Sequence, residues 1–236
     1  MTPDLARRAA AEGIGTYFLV LIGPGAAMAN AYGAGALGHA GVALAFAFVV
    51  CAMVYALGHV SGAHINPAVT LAFWSAGRFP GRDVAPYVAA QCAGAVAASA
   101  TLGFLLGAAG RYGATLPAIG RGRAFVLEWL LSFVLMLVIM AVATDRRAAP
   151  GFAGIAVGLT VGFCAMMGGP LTGASMNPAR SLGPAVAGGL WEGHWIYWLA
   201  PVTGMLAAAR LYAFLRSPDE TPAPGVRLGT EGPVAA

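Results

Sequence analysis

The tripeptide Asn-Pro-Ala occurs twice, as Asn66-Pro67-Ala68 within GAHINPAVT and as Asn177-Pro178-Ala179 within GASMNPARS, with Arg180 directly after the second copy. Asn before Pro opens a helix: Pro at the first helical position sacrifices no useful hydrogen bond, and Asn is a good N-cap. If each Asn carbonyl accepts from its own helix's first amides, the side-chain NH2 is left as a donor to whatever passes. Two neutral donors with a guanidinium beside one of them suit hydrogen-bond exchange with a polar solute. They do not suit bond breaking, and no Ser/His, Asp/Asp or HExxH arrangement lies in the apolar runs, which argues against an intramembrane enzyme. His59 and His64 precede the first Asn, but no carboxylate or thiolate lies at ligand spacing from them, so a loop-bracing or pore-lining role is expected rather than a metal, and no cofactor is expected. Cys51, Cys92 and Cys164 all lie inside apolar runs and read as packing residues.

Each Asn-Pro-Ala interrupts a hydrophobic run, in a chain that is 59% hydrophobic and 9% charged over 236 residues. A mean hydropathy of +0.76 places it among polytopic membrane proteins. All 13 basic residues are Arg and they are scattered, which excludes a nucleic-acid surface. Apolar spans are expected at about 10–32, 41–57, 83–106, 123–143, 151–167 and 195–215, with Gly107–Gly122 as a Gly-rich connection. Arg7-Arg8, an apolar run and Ala27-Met28-Ala29 imitate a cleaved signal, but Glu12 interrupts the imitation and the segment recurs later, so retention is expected.

The apolar residues after each Asn-Pro-Ala are too few to cross roughly 30 Å of hydrocarbon, so they predict half-helices. Non-helical backbone is tolerated at that depth only where protein buries it or where it lines a wet cavity. The two halves are copies: Glu12-x-x-x-Thr16-Tyr17-x-Leu19 matches Glu128-x-x-x-Ser132-Phe133-x-Leu135, and Cys51-Ala52-Met53 matches Cys164-Ala165-Met166. Three spans per half is an odd number, so the second copy enters with opposite topology and the half-helices meet tip to tip. The expected fold is an all-α membrane protein, with six transmembrane helices and two re-entrant half-helices in an inverted 3+3 repeat. One domain covers 1–216 (repeats about 10–108 and 123–216), followed by a disordered tail over 217–236. Placing Arg7, Arg8, Arg78, Arg82, Arg146, Arg147, Arg216 and Arg227 inside, against Arg111, Arg121 and Arg123 outside, predicts cytoplasmic N- and C-termini. Trp191, Trp195, Tyr197 and Trp198 are expected to form an aromatic belt at the outer interface.

The paired motifs with Arg180 resemble the major intrinsic protein (aquaporin) family from about Glu12 to about Arg216, and GPLTGASMNPARSLGP resembles its nodulin-like subfamily and bacterial relatives. The resemblance implies a passive channel in the plasma or inner membrane for water and small uncharged solutes, excluding protons and ions, assembled as a homotetramer in the lipid bilayer. It makes Arg180 part of an outer filter completed by Phe46, Ala165 and Ala174, and it has Glu12 and Glu128 brace the two re-entrant loops. Water-selective members carry His at the place of Ala165. Glycerol facilitators carry an aromatic at that of Ala174 and Asp after the Arg, where Ser181 stands here. Matching neither, the chain is expected to pass solutes such as glycerol, urea or metalloid hydroxides. A strictly water-selective channel and a secondary transporter are the alternatives, and a purely structural junction protein is a further one.

Overall fold

A computed structural model describes residues 2–145 and 147–216. Arg146, Arg227 and the tail expected to be disordered lie outside the described residues. The chain forms α1 (Pro3–Tyr32), α2 (Gly38–Ser61), α3 (Pro67–Ser75), α4 (Gly81–Leu106), α5 (Arg121–Thr144), α6 (Ala153–Thr172), α7 (Pro178–Gly188) and α8 (Ile196–Leu215). Six of these are long and apolar enough to cross a membrane. The other two, α3 and α7, have 9 and 11 residues and start on Asn66 and Asn177. Helices α1–α4 and α5–α8 repeat one pattern: long, long, short, long. Within each half the first helix packs on the last (α1 on α4, α5 on α8), and the halves join chiefly where α2 lies along α6.

Helices α2 and α6 run past the ends expected from hydropathy, to Ser61 and Thr172 rather than Leu57 and Met167. Their ends are set by left-handed glycines at the C-caps, Gly62 (φ 91°) and Gly173 (φ 87°). Pro170 lies in the last turn of α6 and leaves the carbonyl of Met166 without its helical donor. His39, near the start of α2, supplies the missing contact through Nε2 at 2.7 Å. The first helix also starts earlier than expected, because its polar first turns are tied down: Arg8 pairs with Asp4 and, across to α4, with Asp83, each at 2.9 Å.

At the C-terminal end of α5, Asp145 accepts from Arg147 (2.7 Å) and from Tyr212 Oη on α8 (2.7 Å). The Arg147 guanidinium, with the backbone amide of Arg147 and the Tyr212 hydroxyl, holds the Asp145 carboxyl well below the usual carboxylate range. The connection between halves contains a tight turn, Ala109–Gly113, in which Gly110, Arg111 and Tyr112 all have positive φ. It packs against α1.

The two first-to-last helix crossings are close because a glycine stands at each. A Cβ on Gly94 would overlap the carbonyl of Gly13, and one on Gly204 would come within 2.5 Å of the carbonyl of Trp129. Gly13 and Trp129 each directly follow a buried glutamate, so these crossings set the depth at which Glu12 and Glu128 enter the protein. Gly94→Ala is therefore expected to force α1 from α4 and cost about 1–3 kcal/mol of stability. Gly122→Ala, with nothing within 4 Å, should be nearly neutral. Thermal unfolding of both variants in detergent checks this; equal melting temperatures would contradict it.

Candidate functional site

The tips of α3 and α7 are latched by reciprocal hydrogen bonds. Asn66 Oδ1 caps its own helix by accepting from the Ala68 amide (2.9 Å), while Asn66 Nδ2 donates to the carbonyl of Met176 in the opposite loop (2.8 Å). Asn177 Oδ1 accepts from Ala179 (3.0 Å) and Arg180 (3.2 Å), and its Nδ2 donates to the carbonyl of Ile65 (2.8 Å). This corrects the expectation that each NH2 is wholly available: one hydrogen is spent holding the junction and one remains. Pro67 and Pro178 occupy the first helical positions and Ala68 and Ala179 are fully buried, so the small third residue lets the tips approach.

The loops before the tips are held by the two buried glutamates. Glu12 Oε1 accepts from Ser61 Oγ (2.7 Å) and the His64 amide (2.9 Å), and Oε2 from the Ile65 amide (2.6 Å) and Gln91 Nε2 (2.8 Å). Glu128 Oε1 accepts from Thr172 Oγ1 (2.6 Å) and the Ser175 amide (2.8 Å), and Oε2 from the Met176 amide (2.9 Å). In a trans peptide the N–H and the C=O of one unit point in opposite directions. Drawing the amides of residues 64 and 65 onto Glu12 therefore turns the carbonyls of Ala63 and His64 away from it. The amides of 175 and 176 on Glu128 likewise turn those of Ala174 and Ser175. The backbone accepts left-handed φ at Ala63, Ile65, Ala174 and Met176 to achieve this, roughly 1–2 kcal/mol each for non-glycine residues.

A narrow cavity runs past both tips, lined by these loops, Asn66, Asn177 and apolar walls that include Val50, Val54, Leu135 and Ile139. Space for a water-sized sphere is only about 50 Å³ here, against about 700 Å³ in a basin at the Arg8 end and about 300 Å³ in one at the His39 end. His64 lines both the narrow cavity and the Arg8-end basin; Phe46 and Arg180 line both the narrow cavity and the His39-end basin. Ala174 faces the narrow cavity and Ala165 the His39-end basin. His59 does not reach the narrow part: it is exposed on the last turn of α2, at the rim of the Arg8-end basin.

Arg180 is buried, as a guanidinium inside apolar surroundings is only where it has partners or a wet cavity. Its Nη1 donates to the carbonyl of Gly113 (2.9 Å), and its guanidinium carbon lies 5.0 Å from the centre of the Phe46 ring. Phe46 is also held by α1, where its ring occupies the place a side chain on Gly23 would take.

Several site residues escaped the sequence reading. Tyr87 and Tyr197 donate to the carbonyls of Ser61 (2.9 Å) and Thr172 (2.8 Å), closing the loop ends symmetrically. A Tyr near the start of the last span of each half was a repeat signal that could have found them. Tyr197 accordingly leaves the expected aromatic belt: it is fully buried, whereas Trp191 and Trp195 are about half exposed. Gln91, and the turn carbonyl of Gly113 that holds Arg180, carried no local signal.

Oppositely inserted half-helices, latched at their tips and flanked by a polar line through apolar walls, define an inverted-repeat membrane channel. The chain belongs to the major intrinsic protein family, whose model matches residues 1–212. It is 47% identical to nodulin-26 of Glycine max over 89% of this chain and 78% of that one. It is also 47% identical to the probable aquaporin AqpM of Archaeoglobus fulgidus, over 91% and 99%. The aquaglyceroporin of Plasmodium falciparum superposes with a TM-score of 0.78 at 26% identity, covering 88% of this chain and 95% of that one.

The two glutamates differ in how completely they are used, which yields a graded expectation. Either oxygen of Glu12 faces a backbone and a side-chain donor, so Glu12→Gln sets an NH2 against both. Oε2 of Glu128 faces one amide only. A buried donor left without an acceptor costs about 1–3 kcal/mol. Glu12→Gln is expected to lower the unfolding temperature more than Glu128→Gln, and both should lower solute flux; the reverse order of melting temperatures would contradict the geometry.

Proposed function

We propose that the protein is a passive channel for water and small uncharged solutes, with glycerol, urea and metalloid hydroxides within its range, and that it excludes protons and ions. The observation that carries this reading is the continuity of the polar line: His64 joins the narrow segment to one basin, and Arg180 with Phe46 joins it to the other. Loop carbonyls supply acceptors, the remaining N–H of each Asn supplies a central donor, and the apolar walls keep binding weak enough for release. Two helix N-termini converge on the centre, each carrying roughly half a positive charge, which disfavours cations and protons.

Selectivity is set by Phe46, Ala165, Ala174 and Arg180. No imidazole stands at Ala165 and no aromatic at Ala174, so the passage beside Arg180 has apolar alanine walls on two sides, which supports solutes larger than water. The likeness to a solved structure named as an aquaglyceroporin agrees with the glycerol part of that range. Ion-coupled transport is disfavoured because the buried carboxylates of the spans are already engaged, Glu12 and Glu128 by loop amides and neighbouring side chains and Asp83 by Arg8. The protein sits in the cell's plasma or inner membrane as a homotetramer with both termini cytoplasmic, in keeping with the arginine distribution and the resemblance.

Stopped-flow light scattering on proteoliposomes tests the solute range. Native protein should conduct water, glycerol and boric acid above the lipid background, and Ala165→His should cut glycerol and boric acid flux roughly tenfold, about 1.4 kcal/mol of barrier, with a smaller effect on water. Water flux without glycerol or boric acid flux in the native protein would replace this reading with a strictly water-selective one. Because the Phe46 ring lies against both Gly23 and Arg180, Gly23→Ala should displace the ring from α1 and lower the glycerol-to-water permeability ratio several-fold. An unchanged ratio would remove Phe46 from the filter.

A further inference from the structure

The loop before α3 contains an imidazole whose protonation pattern is dictated by its neighbours. His64 Nδ1 lies 3.1 Å from Thr70 Oγ1. That hydroxyl has two other partners: the carbonyl of Asn66 at 3.1 Å and Gln91 Nε2 at 3.0 Å. Gln91 Nε2 also reaches Glu12 Oε2, a carboxylate oxygen already accepting the Ile65 amide, which fixes the amide orientation with nitrogen toward Thr70. A threonine hydroxyl has one hydrogen and two lone pairs. A carbonyl only accepts, so the hydrogen goes to Asn66; an amide NH2 only donates, so Gln91 fills one lone pair. The remaining lone pair faces His64 and requires a donor there.

We propose that Thr70 is a positioning residue that locks His64 as the Nδ1–H tautomer, so that Nε2 is a bare hydrogen-bond acceptor for hydroxyl-bearing solutes where the pore meets the Arg8-end basin. Thr70 and Gln91 are both fully buried, so water does not compete for these contacts. The rings of Phe73, Phe79 and Tyr87, with centroids 4.8, 4.9 and 5.4 Å from that of His64, hold the imidazole in place. His64 lines both the narrow cavity and the basin, and among the described residues Nε2 has no hydrogen-bond partner. The opposite tautomer would forfeit the Thr70–Asn66 bond, because the single hydroxyl hydrogen would have to turn to Nδ1. It would also place a donor in a line otherwise made of the Ala63 and His64 carbonyls, so a solute hydroxyl would meet N–H instead of a lone pair.

The second half lacks this device. Ser175 stands at the position equivalent to His64, and its hydroxyl is engaged with the carbonyl of Asn177 (2.9 Å) and with Ser181 Oγ, which in turn accepts from Thr115 (2.8 Å). The two ends of the pore therefore differ: one presents a side-chain acceptor, the other a guanidinium donor.

The inference rests on the channel reading, and the test separates the two. Protein labelled with 15N-histidine is reconstituted into proteoliposomes and studied by solid-state NMR, with His64 signals assigned by their loss in His64→Gln. The native protein should show a protonated Nδ1 and an unprotonated Nε2 at His64. Thr70→Val should abolish that pattern in favour of Nε2–H or a mixture and lower water and glycerol flux several-fold, and Thr70→Ser should restore both. A native His64 protonated at Nε2 alone, or a Thr70→Val protein that keeps Nδ1–H, would overturn the assignment whatever the flux. Native protein with the expected tautomer but no flux would instead overturn the channel reading, and with it the role of Nε2. If Thr70→Val does not fold, Thr70→Ser and the native spectrum still decide the tautomer.

Discussion

Two carboxylates inside an apolar bundle hold this structure in its conducting form. Each is worth having there only because it is paired: seven donors converge on the four oxygens of Glu12 and Glu128, four of them backbone amides. An unpaired carboxylate at such a depth would be too costly to keep. Once paired with successive amides it becomes a geometric instruction, since the peptide plane carries the constraint to the opposite face and turns carbonyls into the cavity. The left-handed backbone at four non-glycine residues is the strain accepted for that arrangement.

The rest of the molecule serves to bring those carboxylates to the loops. Gly94 and Gly204 let the first and last helices of each half cross closely beside the residue following the glutamate. Gly62 and Gly173 end the second helix so that the loop begins at the right level. The Asn66 and Asn177 latch then fixes one loop against the other, so neither tip is positioned without its counterpart. The inverted repeat is thus an energetic arrangement as well as a topological one: each half completes hydrogen bonds that the other half leaves open. Where the copies diverge, function divides. Arg180 and its carbonyl partner in the Ala109–Gly113 turn shape one mouth, and His64 with Thr70 and Gln91 shapes the other.

The parts legible in the sequence were those with a local cause. Helix starts at Asn-Pro, half-helices too short to span, and six apolar runs are written in neighbouring residues. Glu12 and Glu128 were visible because the repeat placed the same acidic residue at the same point of two spans. The helix ends differ from those expected at Leu57 and Met167 because hydropathy fades before the capping glycine is reached, and Pro170 is accommodated inside α6 because His39 satisfies the carbonyl it orphans. The spare capacity of the Asn side chains was overestimated, since their acceptors, Ile65 and Met176, lie in the opposite repeat, more than a hundred residues away in sequence. Tyr197 reads as an interfacial aromatic from its place among tryptophans, and only the tertiary fold turns it inward. His59 and His64 look alike in sequence, but the end of α2 at Ser61 and the left-handed Gly62 lie between them and separate a rim position from the pore.

The most direct measurement of the central claim is a high-resolution experimental density map of the protein in a lipid bilayer, with ordered water. The account predicts a single file in which waters accept from Asn66 and Asn177 Nδ2 at the centre and donate to the carbonyls of Ala63, His64, Ala174 and Ser175 on either side. Carbonyls of those four residues turned toward Glu12 and Glu128, or a dry gap between the Asn side chains, would contradict it.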